Sequence, residues 1–305
     1  MNERNTDMNP SNLCKEFARI LGATAGVVNG VCTATRSRTN IHPVVLGRNA
    51  DSFMFIPQAF TFENLDSDGK GLCLGETVIL QEEINPFMSK LREHNIIVTA
   101  VHNHWLFDQP RLMYMHFESI DQPLTFARKV RDAMKVLVTH DVRVESKSCH
   151  GRCHCQSRSL DAKGRNRHAD ICNEFNRILG GTMHTFENEQ CIVMKSRLNI
   201  KPEVLGDCGR SFLLIPQMFT FESMSNDGRA LCAGETVILQ EEINPFISAL
   251  RRQGIIVTAV HNHWLFENPR LMYMHWASID RPLAFARKTR DALSVLTDRE
   301  VCVRK

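Results

Sequence analysis

Apolar and polar residues recur along the chain with two different periods, and these periods predict its secondary structure. Apolar positions at helical spacing follow Ser11 and stop at Gly22, which predicts a helix over residues 11–21 capped by Ser11. Residues 81–94 and 123–137 are amphipathic and predict two further helices. Segments rich in Val, Ile, Phe and Thr predict strands at residues 26–36, 51–62, 72–80, 96–105 and 111–118. This order predicts an α+β fold with helices packed on a largely antiparallel sheet.

The whole pattern returns in the second half of the chain. The stretch GETVILQEEINPF occupies residues 75–87 and again 234–246, and IIVTAVHNHWLF occupies residues 96–107 and again 255–266. Self-similarity at this period, with units of ordinary domain size, indicates a tandem duplication. Two homologous domains are therefore predicted to form a pseudo-dimer within one chain, with merged or face-to-face sheets both open. The predicted boundaries are residues 11–145 for the first domain, 146–168 for a basic linker and 169–305 for the second domain.

Composition narrows the function classes. The 305 residues are 43% apolar and 23% charged, and the formal net charge is +3, so the whole chain lacks the basic character of a dedicated nucleic-acid binder. Residues 1–10 are polar and no run of about 18 apolar residues occurs, so we expect a cytoplasmic protein with no membrane span. In a reducing compartment, the 11 cysteines are expected to be buried thiols or metal ligands.

The candidate chemistry is concentrated in the histidines of the repeated strands. His102 and His104 share one face of a strand, and a hairpin centred on Pro110 would place His104 opposite His116. Three imidazoles with one open position match a catalytic zinc site, and iron or manganese could also bind. The alternative is a polar, hydrogen-bonded sheet face without metal. The predicted metal ligands in the two repeats are His102, His104, His116, His261, His263 and His275.

Carboxylates and arginines could complete such a site. A fourth ligand or a general base could come from Glu83, Glu76 or Glu63, or from their counterparts Glu242, Glu235 and Glu222. Glu118 is a poor candidate because its counterpart is Ala277. Arg111 and Arg270 could orient an anionic substrate, as could Arg38 and Arg197, although solvent-facing salt bridges are the better explanation for such arginines. The candidate catalytic residues are Glu83, Glu242, Arg111 and Arg270.

Nine of the 11 cysteines fall into two groups. Cys149, Cys153 and Cys155 lie in the linker with His150 and His154 between them, which is compatible with a metal site or with a flexible linker. The cysteines on apolar elements recur in both repeats, and we expect them to be buried core thiols. They are Cys14 and Cys172, Cys32 and Cys191, and Cys73 and Cys232.

These motifs resemble a known family. LQEEINPF (residues 80–87), VTAVHNH (98–104) and PRLMYMH (110–116), followed by the closing helix with Ala127 and Arg128, are similar to the LppY/LpqO family of bacterial proteins. Each repeat resembles one family domain over nearly its whole length. The family's Pro-Arg-x-Asp-Leu element is altered here to Ser37-Arg38-Thr39-Asn40-Ile41, which loses a carboxylate. The resemblance implies a domain type and no particular reaction.

Three functions are compatible with the sequence. The first is a metal-dependent enzyme, a hydrolase, lyase or oxygenase, acting on a small polar or anionic molecule through a three-histidine site in each repeat. The second is a non-catalytic protein that binds or senses a metal or ligand. The third and weakest is a nucleic-acid or protein interaction through the basic linker, residues 152–167. Neither a phosphate-binding glycine loop nor a serine nucleophile motif is present. Oligomeric state stays open.

Overall fold

A computed structural model describes the backbone of residues 9–143 and 162–302, together with their side chains except those of residues 162–166. The linker cysteines Cys149, Cys153 and Cys155, and residues 146–161 of the predicted linker, lie outside the described residues. Helix α4 begins at Ala162, so residues 162–168 of that linker belong to the first helix of the second repeat.

The two repeats contain the same α-helices and strands in the same order. In the first repeat the helices are α1 (Asn12–Leu21), α2 (Ile84–Glu93) and α3 (Pro123–Ala133), with 3-10 helices at Gln81–Glu83 and Met134–Val136. Its strands are β1 (Thr24–Val28), β2 (Val31–Ser37), β3 (Ile41–His42), β4 (Val44–Val45), β5 (Arg48–Asn49), β6 (Pro57–Glu63), β7 (Gly71–Leu80), β8 (Ile97–His102), β9 (Asp108–Gln109), β10 (Leu112–Asp121) and β11 (Val142–Arg143).

The second repeat follows the first closely. Its helices are α4 (Ala162–Leu179), α5 (Ile243–Arg252) and α6 (Pro282–Leu293), with a 3-10 helix at Gln240–Glu242. Its strands are β12 (Met183–Glu187), β13 (Gln190–Ser196), β14 (Ile200–Lys201), β15 (Glu203–Val204), β16 (Asp207–Cys208), β17 (Pro216–Glu222), β18 (Ala230–Leu239), β19 (Ile256–His261), β20 (Glu267–Asn268), β21 (Leu271–Asp280) and β22 (Val301–Cys302).

Local signals account for the ends of the first helix. The Ser11 hydroxyl accepts a hydrogen bond from the backbone N–H of Cys14 at 3.1 Å, as an N-terminal cap does. Gly22 ends the helix with φ of 64°, a left-handed conformation that glycine adopts without steric cost. The predicted helix over residues 11–21 is therefore confirmed.

Two of the predicted strands differ from the structure. Residues 26–36 form a hairpin of β1 and β2, because Asn29 and Gly30 both have positive φ, as a tight two-residue turn requires. Residues 51–56 are not extended, since the Ser52 carbonyl accepts hydrogen bonds from the N–H groups of Phe55 and Ile56 in a turn. The strand predicted over residues 51–62 begins only at Pro57.

Each repeat is built on a six-stranded antiparallel sheet. The strand order is β1-β2-β6-β7-β10-β8 in the first repeat and β12-β13-β17-β18-β21-β19 in the second. All of the pairings within these two sheets are antiparallel. The α+β class is confirmed, as are the two homologous units with a largely antiparallel sheet in each.

The two sheets pack face to face, with the helices outside. Cys73 and Ile79 of β7 face a core that they share with α1, α2 and α3. Leu74, Val78 and Leu80, which alternate with them along the strand, lie in cores shared with residues of the other repeat. The molecule is thus layered as helix, sheet, sheet, helix, and the duplicated chain buries the inner face of each sheet against its copy.

Buried carboxylates join the repeats on both sides of the interface. Glu222 accepts hydrogen bonds from the N–H groups of Asp51 and Ser52 and from the Ser52 hydroxyl. The equivalent Glu63 accepts from the N–H groups of Arg210 and Ser211. Both glutamates, which we considered as ligands, therefore serve the contact between repeats.

The cysteines of the outer cores differ from our expectation. Cys14 is joined to Cys32, and Cys172 to Cys191, by disulfide bonds. The prediction of free thiols is wrong at these four positions. The packing of α1 on β2, and of α4 on β13, brings the Cα atoms of each cysteine pair to 5.6 Å, which is within the range of a disulfide bond. Cys73 and Cys232 are free and buried, as expected.

Of the helices in the described parts of the chain, none combines the length and the apolar character that a membrane crossing needs.

Candidate metal centre

The histidines of one repeat come together by a route that the sequence did not reveal. Strands β8 and β10 pair with His102 opposite Tyr114 and His116 opposite Ala100. The predicted hairpin centred on Pro110 with His104 opposite His116 is wrong. Residues 103–111 form a longer excursion in which β9 pairs with β4. His104 lies at the start of this excursion, beyond the end of the paired strand.

Within each repeat the three imidazole rings lie at moderate separations. In the first repeat the ring centroids of His102, His104 and His116 are 5.1, 4.9 and 6.2 Å apart. In the second repeat the separations for His261, His263 and His275 are 5.1, 5.0 and 6.3 Å. The same arrangement is therefore present twice.

Between the repeats the rings stack in pairs. His102 lies on its own counterpart His261 with ring centroids 3.5 Å apart and planes 17° from parallel. His104 stacks on His275 at 3.8 Å, and His116 stacks on His263 at 3.7 Å. We call these six residues the histidine cluster. It forms one group at the interface between the repeats.

A tyrosine supports one histidine in each repeat. Tyr114 stacks on His104 with centroids 3.5 Å apart, and Tyr273 stacks on His263 at the same distance. The Tyr114 hydroxyl donates a hydrogen bond to the Phe55 carbonyl at 2.7 Å. The Tyr273 hydroxyl donates one to the Leu214 carbonyl at 2.8 Å. These hydrogen bonds hold both tyrosine rings in place. Sequence reasoning missed these tyrosines, although each precedes a histidine by two residues and therefore shares its strand face.

The cluster is buried and its polar atoms are unsatisfied. His104, His116, His263 and His275 are at most 1% exposed, and His102 and His261 are half-buried. Within the described chain every ring nitrogen of the cluster, except Nδ1 of His263, is buried without a hydrogen-bond partner. Buried polar groups in native proteins are nearly always paired, so these nitrogens are the atoms of the cluster that are available to act as ligands.

Burial also sets the charge of these rings. The pKa of every histidine in the cluster lies below its usual value, chiefly because burial disfavours the imidazolium form; that of His261 falls to about 3. Neighbouring imidazoles lower the pKa of His104 and His263 further. The rings are therefore neutral at physiological pH, which is the form that binds metal ions.

The nitrogens lie close enough to share an ion. One ligand atom from each of His102, His104, His116 and His263 can be chosen so that all four lie within 4.8 Å of one another, and the same holds for His104, His261, His263 and His275. Each group thus contains the three predicted ligands of one repeat and one histidine of the other. The structure brings together all six predicted metal ligands.

Of the candidate carboxylates, only one pair adjoins the cluster. Glu76 lies opposite His116 across β7 and β10, and Glu235 lies opposite His275 in the second repeat. The Glu235 carboxylate is 3.8 Å from Nδ1 of His275. Burial raises the pKa of Glu235 to about 8, and burial together with Glu235 raises that of Glu76. The two carboxyl groups therefore lie near enough to the cluster and to each other for Glu235 to raise the pKa of Glu76.

Glu83 and Glu242, the predicted catalytic acids, have a different environment. Glu83 forms a buried two-point ion pair with Arg38, at 2.6 and 2.9 Å, and also accepts from the N–H groups of Leu80 and Val138. Glu242 repeats these contacts with Arg197. Both carboxylates are saturated by structural partners and are absent from the candidate ligand groups. These contacts favour a structural role for Glu83 and Glu242 over the predicted role as metal ligand or general base.

The predicted substrate-binding arginines also bind neighbouring acids. Arg111 pairs with Asp108 at 3.0 Å, and Arg270 pairs with Glu267 at 2.9 Å. Both arginine side chains are more than 40% exposed. These pairs anchor the excursions that follow the histidine strands, which is the structural alternative that the sequence left open.

Glu118 breaks the symmetry of the interface. It is fully buried and neither carboxylate oxygen has a hydrogen-bond partner among the described residues, whereas Ala277 occupies the equivalent position. Burial, with Glu267 nearby, raises its pKa to about 8. Glu118 lies opposite Leu74 and Ile97 on the flanking strands.

The cavities found in the described parts of the chain lie elsewhere. The largest, of about 650 Å³, is lined by residues such as Arg167, Met224 and Arg281 of the second repeat, and the next, of about 590 Å³, lies between His42 and Thr185. No cluster histidine lines either one. The members of the cluster with some solvent-exposed surface are His102 and His261.

Comparisons with known proteins bear on the family alone. The family model DUF1529, described as Domain of Unknown Function (DUF1259), matches residues 15–136 and again residues 173–295. Among curated proteins none matches. Two solved structures have some similarity: a trimeric bacterial microcompartment shell protein, PduB (10% identity, 88% of this chain and 89% of that chain, TM-score 0.19), and EtuB from Clostridium kluyveri (8% identity, 91% and 97%, TM-score 0.18).

Proposed function

We propose, from the premise that the chain belongs to the DUF1259 family in two tandem copies, that it is a metal-binding protein whose metal centre is the histidine cluster between the repeats. The observation that carries the proposal is the set of buried, neutral imidazoles whose nitrogens have no partner in the described chain. An all-imidazole donor set suits zinc, copper, nickel or iron, and zinc is our first choice.

The proposal extends to catalysis on a small polar or anionic molecule. A bound ion of this kind supplies Lewis acidity, which polarises a carbonyl or lowers the pKa of water. Glu76 and Glu235 replace Glu83 and Glu242 as the residues that would move a proton, because they adjoin His116 and His275, whereas Glu83 and Glu242 are held by Arg38 and Arg197. Tyr114 and Tyr273 would hold His104 and His263 in orientation.

A second function, binding or sensing without catalysis, is favoured by one observation. The described cavities do not reach the cluster, and four of its six histidines are almost completely buried. A substrate larger than a few atoms could reach the cluster only past His102 and His261, or after the repeats separate locally. Retention of metal with no turnover of carbonyl, ester or phosphate compounds would support this alternative.

Two finer expectations also belong to this proposal. The relationship to the LppY/LpqO group rests on the LQEEINPF, VTAVHNH and PRLMYMH motifs of the sequence. The cytoplasmic location stays a prediction, and the two disulfide bonds weigh against it, because disulfides are uncommon in reducing compartments.

The test is metal analysis of the purified chain with a matched pair of variants. The unmodified protein should carry stoichiometric transition metal, and a His104→Ala/His263→Ala variant should lose it. The control, His94→Ala/His184→Ala, removes two histidines that lie outside the cluster and should keep the metal content unchanged. Equal metal in all three proteins, or none in the unmodified protein after reconstitution with zinc, would contradict the proposal.

A further inference from the structure

We infer that the cluster is a dinuclear centre, in which each repeat's three histidines bind one ion and the two ions face each other across the pseudo-twofold axis. This inference rests on the proposed function. It goes further by fixing the number of ions, their ligands and their spacing. Two observations carry it: the separations of the rings within each repeat and the stacking of the rings between repeats.

The rings within one repeat have the separations that one ion requires. Three imidazoles bound to one ion through metal–nitrogen bonds of about 2.1 Å, and spread evenly around it, have ring centroids about 5.5 Å apart. The observed separations run from 4.9 to 6.2 Å in the first repeat and from 5.0 to 6.3 Å in the second. Each repeat thus holds a near-complete three-nitrogen site.

The rings that stack between repeats are unsuited to share one ion. An imidazole nitrogen holds its lone pair in the plane of the ring. The stacked pairs His102–His261, His104–His275 and His116–His263 are 3.5 to 3.8 Å apart, with planes 17° to 21° from parallel. An ion in the plane of one ring therefore lies well outside the plane of the ring stacked on it. Stacked partners are therefore assigned to different ions, with one set of three histidines per repeat, although His263 and His104 each also offer a nitrogen within 4.8 Å of the other repeat's ligand atoms.

The same stacking sets the distance between the two ions. If each ion lies near the plane of its own three rings, the two planes hold the ions about 4 Å apart, which is the spacing of two-metal catalytic sites. Such a pair can hold one small molecule or ion between its members. The centre would therefore act on a ligand of a few atoms that bridges both ions, such as water, dioxygen or a small oxyanion, in keeping with its burial.

The buried carboxyl groups fit this arrangement. Glu76 and Glu235 would be unfavourable in the interface without a cation, because a buried carboxylate without a charged partner is destabilising. Beside two divalent ions, the carboxylates of Glu76 and Glu235 would offset part of the positive charge of the ions. Neutral imidazoles cannot do so because they carry no charge. Their placement is symmetrical, with one carboxyl opposite His116 and one opposite His275.

The experiment uses the full chain loaded with zinc or cobalt. X-ray absorption should show two ions per chain and metal–metal scattering near 4 Å in the unmodified protein. Two variants remove three histidines each and differ only in how the losses are divided. His261→Ala/His263→Ala/His275→Ala empties one repeat and should keep one ion without the metal–metal signal. His102→Ala/His116→Ala/His263→Ala damages both sets and should keep no stoichiometric ion.

The outcomes separate this inference from the proposal beneath it. No metal in the unmodified protein would end the proposed function itself. One ion per chain, or two ions without metal–metal scattering, would leave metal binding intact and overturn the dinuclear centre. One ion retained by the mixed variant and none by the single-repeat variant would show that each site draws ligands from both repeats. Since the unmodified protein alone decides the spacing, a variant that fails to fold does not stop the test.

Discussion

His102 and His261 occupy equivalent positions in the two repeats, and their imidazole rings stack on each other at 3.5 Å across the pseudo-twofold axis. Both lie at the ends of edge strands, β8 and β19, and both are half-buried. This contact fixes the two repeats against each other at the candidate centre. It also makes these two residues the part of the cluster nearest to solvent.

The stacking of Tyr114 on His104 should contribute to metal binding. Tyr114→Phe keeps the stacked ring but loses the hydrogen bond that the hydroxyl donates to the Phe55 carbonyl and the one that it accepts from the Trp105 indole N–H, which we expect to lower stability by about 1 to 3 kcal/mol with little change in metal affinity. Tyr114→Ala removes the ring that holds His104 and should weaken metal binding about tenfold or more, as loss of outer-shell partners does. Competition with a zinc chelator measures the affinities. Equal affinities of the two variants would argue against this role.

The Arg38–Glu83 ion pair should matter for folding and leave metal content unchanged. Removing one partner leaves the other buried and unpaired, so Glu83→Gln should lower the free energy of unfolding by about 3 to 5 kcal/mol. Metal per folded chain should stay the same, since Glu83 is outside the ligand groups. Denaturant unfolding with metal analysis checks both points, and Glu82→Gln, at the exposed neighbour, is the control. Loss of metal in a stable Glu83→Gln protein would restore the catalytic role.

Glu222 should make stability depend on pH. Burial raises its pKa to about 7 from 4.5, so between these values the unfolded chain releases a proton that the folded chain keeps. The free energy of unfolding should therefore fall as pH rises from 4.5 to 7, by at most about 3 kcal/mol, and this contribution should stay constant above pH 7. Glu222→Gln should flatten the profile and Glu241→Gln, at an exposed position, should not. Parallel profiles for all three proteins would contradict the assignment.

Gly75 should be needed for the packing of the first sheet. A Cβ atom at this position would lie 2.1 Å from the ring of Phe117, which is fully buried. Gly75→Ala should therefore destabilise the fold by about 3 kcal/mol or more through overpacking. Gly26→Ala is the matched control, because its Cβ would meet its nearest neighbour at 3.7 Å and β1 is an edge strand. Thermal unfolding of both variants tests this prediction, and Gly75→Ala should have the lower midpoint. Similar midpoints for the two variants would show that the Phe117 ring can move to make room for the added Cβ.

The disulfides should stabilise the outer cores. Each one closes a loop of about 18 residues, for which the expected contribution is roughly 3 kcal/mol. Under oxidising conditions, Cys14→Ala/Cys32→Ala should have a lower unfolding midpoint than the unmodified protein. After reduction, the difference in unfolding midpoint between the two proteins should disappear. Cys208→Ser, at an exposed free cysteine, should have little effect. Thiol counting in denaturant gives the number of bonds directly. A full complement of free thiols in protein kept under air would contradict the pairing.

The sequence predicts the parts of this fold that depend on nearby residues. The capped helix α1 follows from Ser11 and Gly22, and the duplication follows from direct repetition of sequence. The six histidines stand out in the sequence as a repeated His-x-His motif followed by a third histidine, although His104 lies beyond the end of β8. The hairpin at Asn29 and Gly30 could also have been predicted, because this dipeptide is the usual signal for a tight turn.

The remaining features depend on contacts between distant residues. Between β8 and β10 the chain forms β9, which pairs with β4 more than 60 residues earlier. Because of this excursion, residues at equal distances from Pro110 do not pair, and the register of β8 and β10 could not be predicted from their positions relative to Pro110. The ion pair of Arg38 with Glu83 spans 45 residues, and that of Arg197 with Glu242 spans the same distance. The stacking of the cluster depends on how two sheets pack, which alternation along one strand does not determine.

Glu118 and Ala277 occupy equivalent positions at the interface, and only one of them carries an ionisable group. Two identical subunits related by a twofold axis must present the same side chain on both sides of that axis. A gene that encodes both halves in one polypeptide is released from this constraint, because each half can mutate alone. In this chain the two halves differ at a position only two residues from His116, whereas each of the six histidines has a histidine at the equivalent position of the other repeat. The duplication thus permits an asymmetric environment around a symmetric core, which a homodimer of either repeat could not encode.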